Sequence, residues 1–397
     1  MNNTFESLDK SLIAHSIFWR FEPFHSSLES QFPWERTHPA LTSWLNSLSP
    51  DEIETFKSDP TLLIEPLSLF IPDLVHVMGL IRLPENTPVA NEMDRKLSVG
   101  IPGRKLEQIC SMGEASISLH KGSEWLEWCS GKGYLGRILA ERTQQKVTSL
   151  EYQSELCESG QESANKLNLP MHFIQGDALA PQRMPFMNSN QHAVALHACG
   201  DLHSSLLYKV TQESLPAVTI SPCCYHLISS EKYQAMSSEG QASKLSLVKR
   251  ELRIPLQETV TGGERVKRHR FLEMCYRLGF DILLREENIS TEYLPIPSVR
   301  KSQLSKGFEF FCHWASSVKG IELSDVDFDH YLEKGTNRFL VMERLSLVQQ
   351  LFRRPLELWL VLDKALYLDQ HGYTVSLSQF CSRQVTPRNI LLHAYRN

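Results

Sequence analysis

Long apolar runs are missing from this 397-residue chain. No stretch approaches the roughly eighteen uncharged apolar residues of a membrane span, and 67–81, the nearest, is broken by Pro72, Asp73 and His76, so no membrane partner is expected. The N-terminal segment MNNTFESLDKSLIAHSIFWRF lacks a basic start followed by an apolar run, and no secretory leader is expected. Nine cysteines, an odd number, are scattered without the paired two-residue spacing of a structural zinc site. Neither a disulfide framework nor a bound metal is therefore expected, and the expected setting is reducing and cytoplasmic. Excess positive charge is absent too. A formal net charge of -5 argues against a chain that coats nucleic acid, so no DNA partner is expected, while one local basic surface remains allowed. Internal repeats, low-complexity tracts and heptad arrays are likewise missing.

What is present is organised around Trp125–Tyr152. A short apolar run ends at Glu127, Trp128 and Cys129, and the turn Ser130-Gly131-Lys132-Gly133-Tyr134-Leu135-Gly136 follows. Ile138, Leu139 and Ala140 continue at helical spacing before Val147–Leu150 opens a second strand closed by Glu151. Strand, glycine turn, helix, strand and acid is the order of a nucleoside-cofactor site. Gly131 and Gly133 let the backbone pass close to a ligand, Gly136 lets the helix pack on the sheet, and Glu151 can accept ribose hydroxyls. Spacing alone also fits a dinucleotide, but beside a pyrophosphate the charge of Glu127 would repel. The same acid can bind a cationic amino group or order the turn. An adenosyl ligand carrying an amino acid and a sulfonium satisfies both acids, so S-adenosylmethionine is the expected cofactor, with S-adenosylhomocysteine as its product. Asp177, three residues past a third strand, can accept the exocyclic amine of adenine with Ala178 near the ring; a plain turn-forming aspartate is the alternative.

Along the chain, residues 1–115 read as a helical N-terminal domain, with a helix start at Ser49-Pro50-Asp51-Glu52 and an aromatic set of Trp19, Phe21, Phe24, Phe32, Trp34 and Trp44. That set reads as a helical core or as a platform beside the substrate. From 116 to 318 strands alternate with helices, which implies a largely parallel sheet covered on both faces. After the first two strands come Met171–Ile174, Ala193–Leu196, Ala217–Ile220, Phe280–Leu284 and Phe308–Trp314, with polar residues gathered after the strand ends where open α/β sheets bind ligands. Residues 319–397 read as a helical C-terminal module. Pro84–Pro88 reads as a loop, and Met93-Asp94-Arg95-Lys96 leads towards the central domain. The segment 241–270 is locally basic, and Gly262 and Gly263 before its densest part imply an adjustable loop. Arg265, Lys267 and Arg268 there read as a phosphate-facing patch for RNA or as a solvated helix face.

Methyl transfer needs a nucleophile aligned with the methyl–sulfonium axis and at most one proton removed. His197, His203 or His226 can serve as the base, with Asp201 as the alternative. Cys223 after Pro222 can attack a pyrimidine ring at C6, and Tyr225 can stack on a planar substrate.

The motifs Gly131-Lys132-Gly133-Tyr134-Leu135, His197-Ala198-Cys199-Gly200-Asp201-Leu202 and Cys223-Cys224-Tyr225-His226 resemble those of a group of methyltransferase-like proteins of bacteria and eukaryotes. They resemble more distantly the enzymes that methylate a tRNA acceptor-stem ribose 2'-hydroxyl. Arg104-Lys105-Leu106-Glu107, Arg354-Pro355-Leu356-Glu357, Leu362-Asp363-Lys364 and Thr386-Pro387-Arg388-Asn389 extend the likeness over 104–397. The resemblance implies a Rossmann-like class I methyltransferase core with a mostly parallel seven-stranded sheet, an α/β fold flanked by helical N- and C-terminal parts. It puts Lys105, Glu127, Cys129, Gly131, Gly133, Tyr134, Leu135, Glu151, Tyr152, Asp177, Ala178 and His197 at the cofactor. The Cys/His loops, with Cys224, Arg388 and Asn389, fall to the substrate side. Most relatives have glycine where this chain has Cys129. RNA, either tRNA or rRNA, is the expected substrate class, with protein or a small molecule as alternatives and a catalytically silent interaction protein as the competing class.

Overall fold

The computed structural model describes residues 1–29, 31–85, 95–98, 101, 103–258 and 263–396. Pro88, Met93, Asp94 and Gly262 of the loop expectations lie outside them, as does the side chain of Arg104. Seven strands form one sheet: β1 (Glu124–Trp128), β2 (Val147–Glu151), β3 (Met171–Gln175), β4 (Gln191–Ala195), β5 (Ala217–Ile220), β6 (Thr374–Gln379) and β7 (Ile390–Tyr395). The principal helices are α1 (Gly103–Ser118), α2 (Tyr134–Thr143), α3 (Ser154–Lys166), α4 (Asp201–Gln212), α5 (Glu264–Glu286), α6 (Phe308–Lys319), α7 (Phe328–Gln350) and α8 (Arg353–Gln370). Contacts divide the chain into one unit of Met1–Ile13, His76–Val260 and Arg353–Asn397, and another of Ala14–Val75 and Thr261–Phe352. Residues 261–318, grouped with the sheet on sequence, thus cluster with helices.

The first unit holds the sheet, in the order β3-β2-β1-β4-β5-β7-β6. The first five strands are parallel, and β7 is antiparallel to both β5 and β6. This is the mostly parallel sheet of a Rossmann-like class I methyltransferase core. Residues of β2, β4 and β5 are buried throughout, as strands covered on both faces must be, polar residues such as Ser149, His192 and Thr219 included. One core under α1 and α2 gathers Trp125, Ile138, Leu139, Val147, Phe173 and Leu391. Each such side chain contributes about 1.5–3 kcal/mol on burial. Starting the order at β1, the chain moves outward to β3 and then back across to β4, so the strand ends of β1 and β4 flank the reversal where such sheets bind ligands.

Two expected strands are corrected. Phe280–Leu284 lies inside α5 and Phe308–Trp314 inside α6; the sixth and seventh strands come instead from 374–379 and 390–395, within the span expected to be helical. Phe308, Phe311, Cys312, Ala315 and Ser316 are the buried positions of α6, a helical period, and Phe280–Leu284 is buried all round because that part of α5 is enclosed, with Asp281 paired to Arg285 at 2.8 Å.

The second unit is helical. In it α5 and α7 approach at glycines: a Cβ on Gly335 would stand 2.7 Å from Gly279 Cα and 2.4 Å from the Cys275 carbonyl oxygen. Its N-terminal aromatics form a core, with Trp19 and Trp34 fully buried. The helix Pro50–Ser58 starts as expected, its capping box closed by Ser49 and Glu52. Among the described residues no helix is long and apolar enough to cross a membrane.

Candidate functional site

The turn between β1 and α2 is built by carboxylates that receive backbone N–H groups. Glu151 accepts from Gly131 N at 2.9 Å and from Gln153 N at 3.0 Å. Glu127, 3% exposed, accepts from Gly136 N at 2.9 Å and from Ser149 Oγ at 2.8 Å, and burial pushes its carboxyl up to about 7. One oxygen of Glu127 therefore orders the start of α2, the second of the two uses expected for it, and the other ties it to β2. Gly136 fits this acid closely, since a Cβ there would stand 2.4 Å from Glu127 Oε2.

Three residues of the turn lie in the left-handed region: Cys129 at φ 54, Gly131 at φ 58 and Gly133 at φ 69. The Cys129 conformation is one that favours glycine, which accounts for glycine at this position in relatives. A Cβ on Gly133 would strike the Phe173 ring at 2.4 Å, so that residue packs against the sheet. Gly131 differs: a Cβ there would meet nothing within 4 Å. Open space thus lies over the turn beside Glu151, and the Ser130 hydroxyl next to it is buried without a hydrogen-bond partner. An open cradle with an unmet hydroxyl and a ribose-type acceptor fits an adenosyl ligand.

The other expected cofactor residues divide. Asp177 is exposed beyond β3 and accepts from Leu179 N at 2.8 Å, the turn-forming use of such an aspartate. Burial, and then Glu151, Cys199 and Asp177, push the Cys129 thiol up to about 12. Ala178 is buried, Tyr152 is 70% exposed, and Tyr134 carries the Arg137 guanidinium 4.7 Å from its ring centre. Leu135 belongs to the hydrophobic core, a correction to its expected place at the ligand; its helical position turns it towards the sheet. Lys105 is exposed on α1, near enough to act on His197.

The loops after β4 and β5 lock together. Gly200, at φ 59, leaves no room for a side chain, because a Cβ would fall 1.9 Å from the Leu227 carbonyl oxygen. Asp201 donates its N–H to that oxygen at 3.0 Å, and its carboxylate accepts from Ser229 N at 2.7 Å. The acid expected as an alternative base is thus committed to holding the loops. The sulfurs of Cys199, Cys223 and Cys224 lie within 4.8 Å of one another, the first two 3.2 Å apart. Hydrogen bonds from Cys199 and Cys223 lower the Cys224 thiol, so the trio favours a thiolate there. Cys223 moves the other way, its thiol raised, which removes the activation a nucleophile needs.

Burial and then Lys364 hold the imidazole of His203 down at about 3; burial and then Lys105 hold His197 at about 4, although its ring reaches solvent. Burial also lowers half-buried His226. Buried Tyr225 and His203 line a cavity of about 120 Å³ with Asp201, Tyr233 and Lys364; no residue of the glycine turn borders it. Tyr225 donates to the Pro222 carbonyl at 3.2 Å from a buried position, so stacking on an external substrate is corrected to an internal role.

Sequence reasoning missed what carries these loops. Asp363 accepts from Met236 N, Ser237 N, Ser237 Oγ and Tyr233 Oη at 2.6–2.9 Å, and Lys364 donates to Tyr233 Oη at 3.0 Å. Arg354 joins Glu357 at 2.7 Å to Asn389 at 3.0 Å. Asn389 is 1% exposed and donates to Gln379 and to the Cys381 carbonyl, so its expected substrate contact is corrected to a brace between β6 and β7. Half-buried Arg388 donates to the Glu258 carbonyl at 2.7 Å. In the second unit Arg265 and Arg268 are exposed at the start of α5, and Lys267 pairs with Glu54 at 3.2 Å and Glu264 at 3.3 Å. Paired carboxylates explain a solvated face for Lys267 without a ligand.

Residues 104–231 match the model of a family described as a methyltransferase domain. The matched segment is a methyltransferase domain, and S-adenosylmethionine is its cofactor. No curated protein matches the chain significantly. Among solved structures, the chain is similar to the tRNA (uracil-54, C5)-methyltransferase of Pyrococcus abyssi in complex with S-adenosyl-L-homocysteine. The identity is 19%, over 30% of this chain and 29% of that one, with a TM-score of 0.26. It is also similar to TehB of Haemophilus influenzae, at 15% identity over 28% of this chain and 38% of that one, TM-score 0.24. A TehB-like S-adenosylmethionine-dependent methyltransferase of Corynebacterium glutamicum gives 13% identity over 28% and 60%, TM-score 0.24. The chain thus spans from 29% to 60% of the length of these three structures.

Proposed function

We propose that the whole chain is an S-adenosylmethionine-dependent methyltransferase acting on RNA, with tRNA or rRNA as the substrate. The observation that carries the methyltransferase reading is the open space over Gly131, bordered by the Glu151 carboxylate and the unpartnered Ser130 hydroxyl at the end of β1. Glu151 takes the ribose hydroxyls there, Asp177 and Ala178 the adenine side, and Glu127 keeps the turn in shape. When bound, the cofactor supplies an activated methyl group on a sulfonium. The chain's own residues then have to hold a nucleophile and take at most one proton. His197 is placed for that task by its exposure at the end of β4, and it is neutral at pH 7, although an imidazole held at about 4 is a weaker base than a free one. His226 is the second half-accessible imidazole, while His203 is enclosed and Asp201 is engaged elsewhere. Support for RNA comes from the exposed Arg265 and Arg268 and from the resemblance of the 197–202 and 223–226 motifs to those of tRNA ribose methyltransferases.

The test is transfer of labelled methyl from the cofactor, by the full chain, into fractionated RNA, protein and metabolite pools of a cell lacking this gene. Label in the RNA pool is the expected result. Label in protein or metabolites would overturn the substrate, and micromolar cofactor binding with no labelled pool would overturn the activity.

A further inference from the structure

Consecutive residues on an extended chain point to opposite sides, so neighbouring cysteines do not ordinarily share a target. Cys223 and Cys224 do. Cys224 sits at φ 42, a left-handed conformation that costs a non-glycine residue about 1–3 kcal/mol, and with it the two adjacent sulfurs reach one point. The third sulfur comes from the other loop, where Gly200 wedged against Leu227 and the Asp201–Ser229 hydrogen bond fix Cys199 beside them. The three are half-buried and none is in a disulfide.

A tetrahedral zinc ion with metal–sulfur bonds of about 2.3 Å keeps its sulfurs about 3.8 Å apart. Here the separations include one of 3.2 Å and none above 4.8 Å, so the ion fits after shifts of about 1 Å or less. Thiolates are soft donors that select zinc-class cations over magnesium or calcium. Among the described residues no histidine, aspartate or glutamate completes the group as a fourth ligand. Three protein ligands with one position unfilled is the composition of a reactive zinc site, whereas structural sites are closed by four. The rival use of these sulfurs, a Cys199–Cys223 disulfide, employs two of them and leaves the turn at Cys224 without a purpose.

We infer that Cys199, Cys223 and Cys224 form a three-thiolate site for a zinc-class cation, its fourth position open to water or to a donor atom of another molecule. Every proton still on the three sulfurs passes to solvent as they bond the ion, so binding is charge-balanced without any oxidant. The site stands on its own geometry and does not depend on the methyl-transfer reading.

The test titrates the full, reduced, chelator-stripped chain with cobalt(II) and then zinc(II). An intense thiolate-to-cobalt charge-transfer absorption saturating at one ion per chain, proton release on binding and displacement by zinc are expected. Cys199→Ser and Cys224→Ser should each weaken zinc by more than the roughly 10–100-fold that loss of an outer partner costs. The wild-type titration is independent of whether those variants fold. Absence of the charge-transfer absorption in a chain shown folded by circular dichroism would overturn the site, and so would a metal-free chain that holds a Cys199–Cys223 disulfide under reducing conditions. Calorimetric binding of S-adenosylmethionine, run beside it, reports separately on the cofactor site.

Discussion

Two sets of loops at the same end of the sheet are held in opposite ways. The glycine turn after β1 is fixed by partners close in the chain: Glu127 and Gly136 are nine residues apart, Glu151 and Gly131 twenty. The loops after β4 and β5 are fixed from far away, through Asp363, which lies 126 residues from Ser237, and Glu357, 132 residues from Tyr225. A turn that offers backbone to a ligand can be specified by its own glycines and one acid on the next strand. Loops that must gather several side chains at one point need a rigid backing, and α8, buried along nearly its whole length, provides it.

The sharpest way to break this contrast is Asp363→Ala. Asp363 is fully buried and receives four hydrogen bonds, so its loss strands Met236 N, Ser237 N, Ser237 Oγ and Tyr233 Oη where water does not reach them. A cost of about 3–5 kcal/mol in urea unfolding is expected, since each unmet buried donor costs about 1–3 kcal/mol and relaxation recovers part of the sum. An unchanged unfolding midpoint would mean that α8 does not back these loops.

The glycine turn should respond differently. Glu151→Ala removes acceptors from Gly131 N and Gln153 N, the first half-buried and the second exposed, so water can replace much of what stability loses. Cofactor affinity should fall by roughly 1–3 kcal/mol, about 10- to 150-fold by calorimetry, because charge-assisted hydrogen bonds to the ribose go. Full-strength binding by this variant would remove the ribose from Glu151. A large loss of stability instead would erase the distinction between a turn that binds and loops that are braced.

The same contrast explains what could be read from sequence. Trp125–Tyr152 announces strand, turn, helix and acid because every determinant lies within one supersecondary unit, and β3, β4 and β5 follow as short apolar runs ended by polar residues. The last two strands were hidden. Thr374–Gln379 is only partly buried, and Ile390–Tyr395 is a continuous run whose period does not separate strand from helix, whereas Phe280–Leu284 looked like such a strand and is helix. The site divided along the same line. Glu151 at the turn could be placed from its neighbours, but nothing near Asn389 foretold its brace to Gln379 and Arg354. Long-range convergence has no local period.

Acid acts on both parts through buried titratable groups. His203, held at about 3, and His393, held at about 4 by burial and then Lys121, are neutral in the fold, and buried His192 is lowered well below its ordinary value by burial and then His393. Unfolded histidine titrates near 6.5, so below that pH the unfolded chain binds more protons than the fold. The stability these groups allow is complete above about pH 6.5 and is lost as pH falls, at up to about 1.4 kcal/mol per pH unit for each. Glu127 acts in the opposite sense. Its carboxyl is raised to about 7, so between its unfolded value of 4.5 and 7 the fold holds the extra proton and gains on acidification. Thermal unfolding should therefore weaken from pH 6.5 to 4.5 with a net slope of up to about 2.8 kcal/mol per unit, since one carboxyl offsets one of the three imidazoles, and more steeply just below. Glu127→Gln keeps an acceptor for Gly136 N and removes the offset. The upper part of its profile should steepen by up to about 1.4 kcal/mol per unit, and parallel profiles for the two proteins would show that Glu127 is ionised in the fold and that its enclosure beneath α2 is looser than the hydrogen bonds imply.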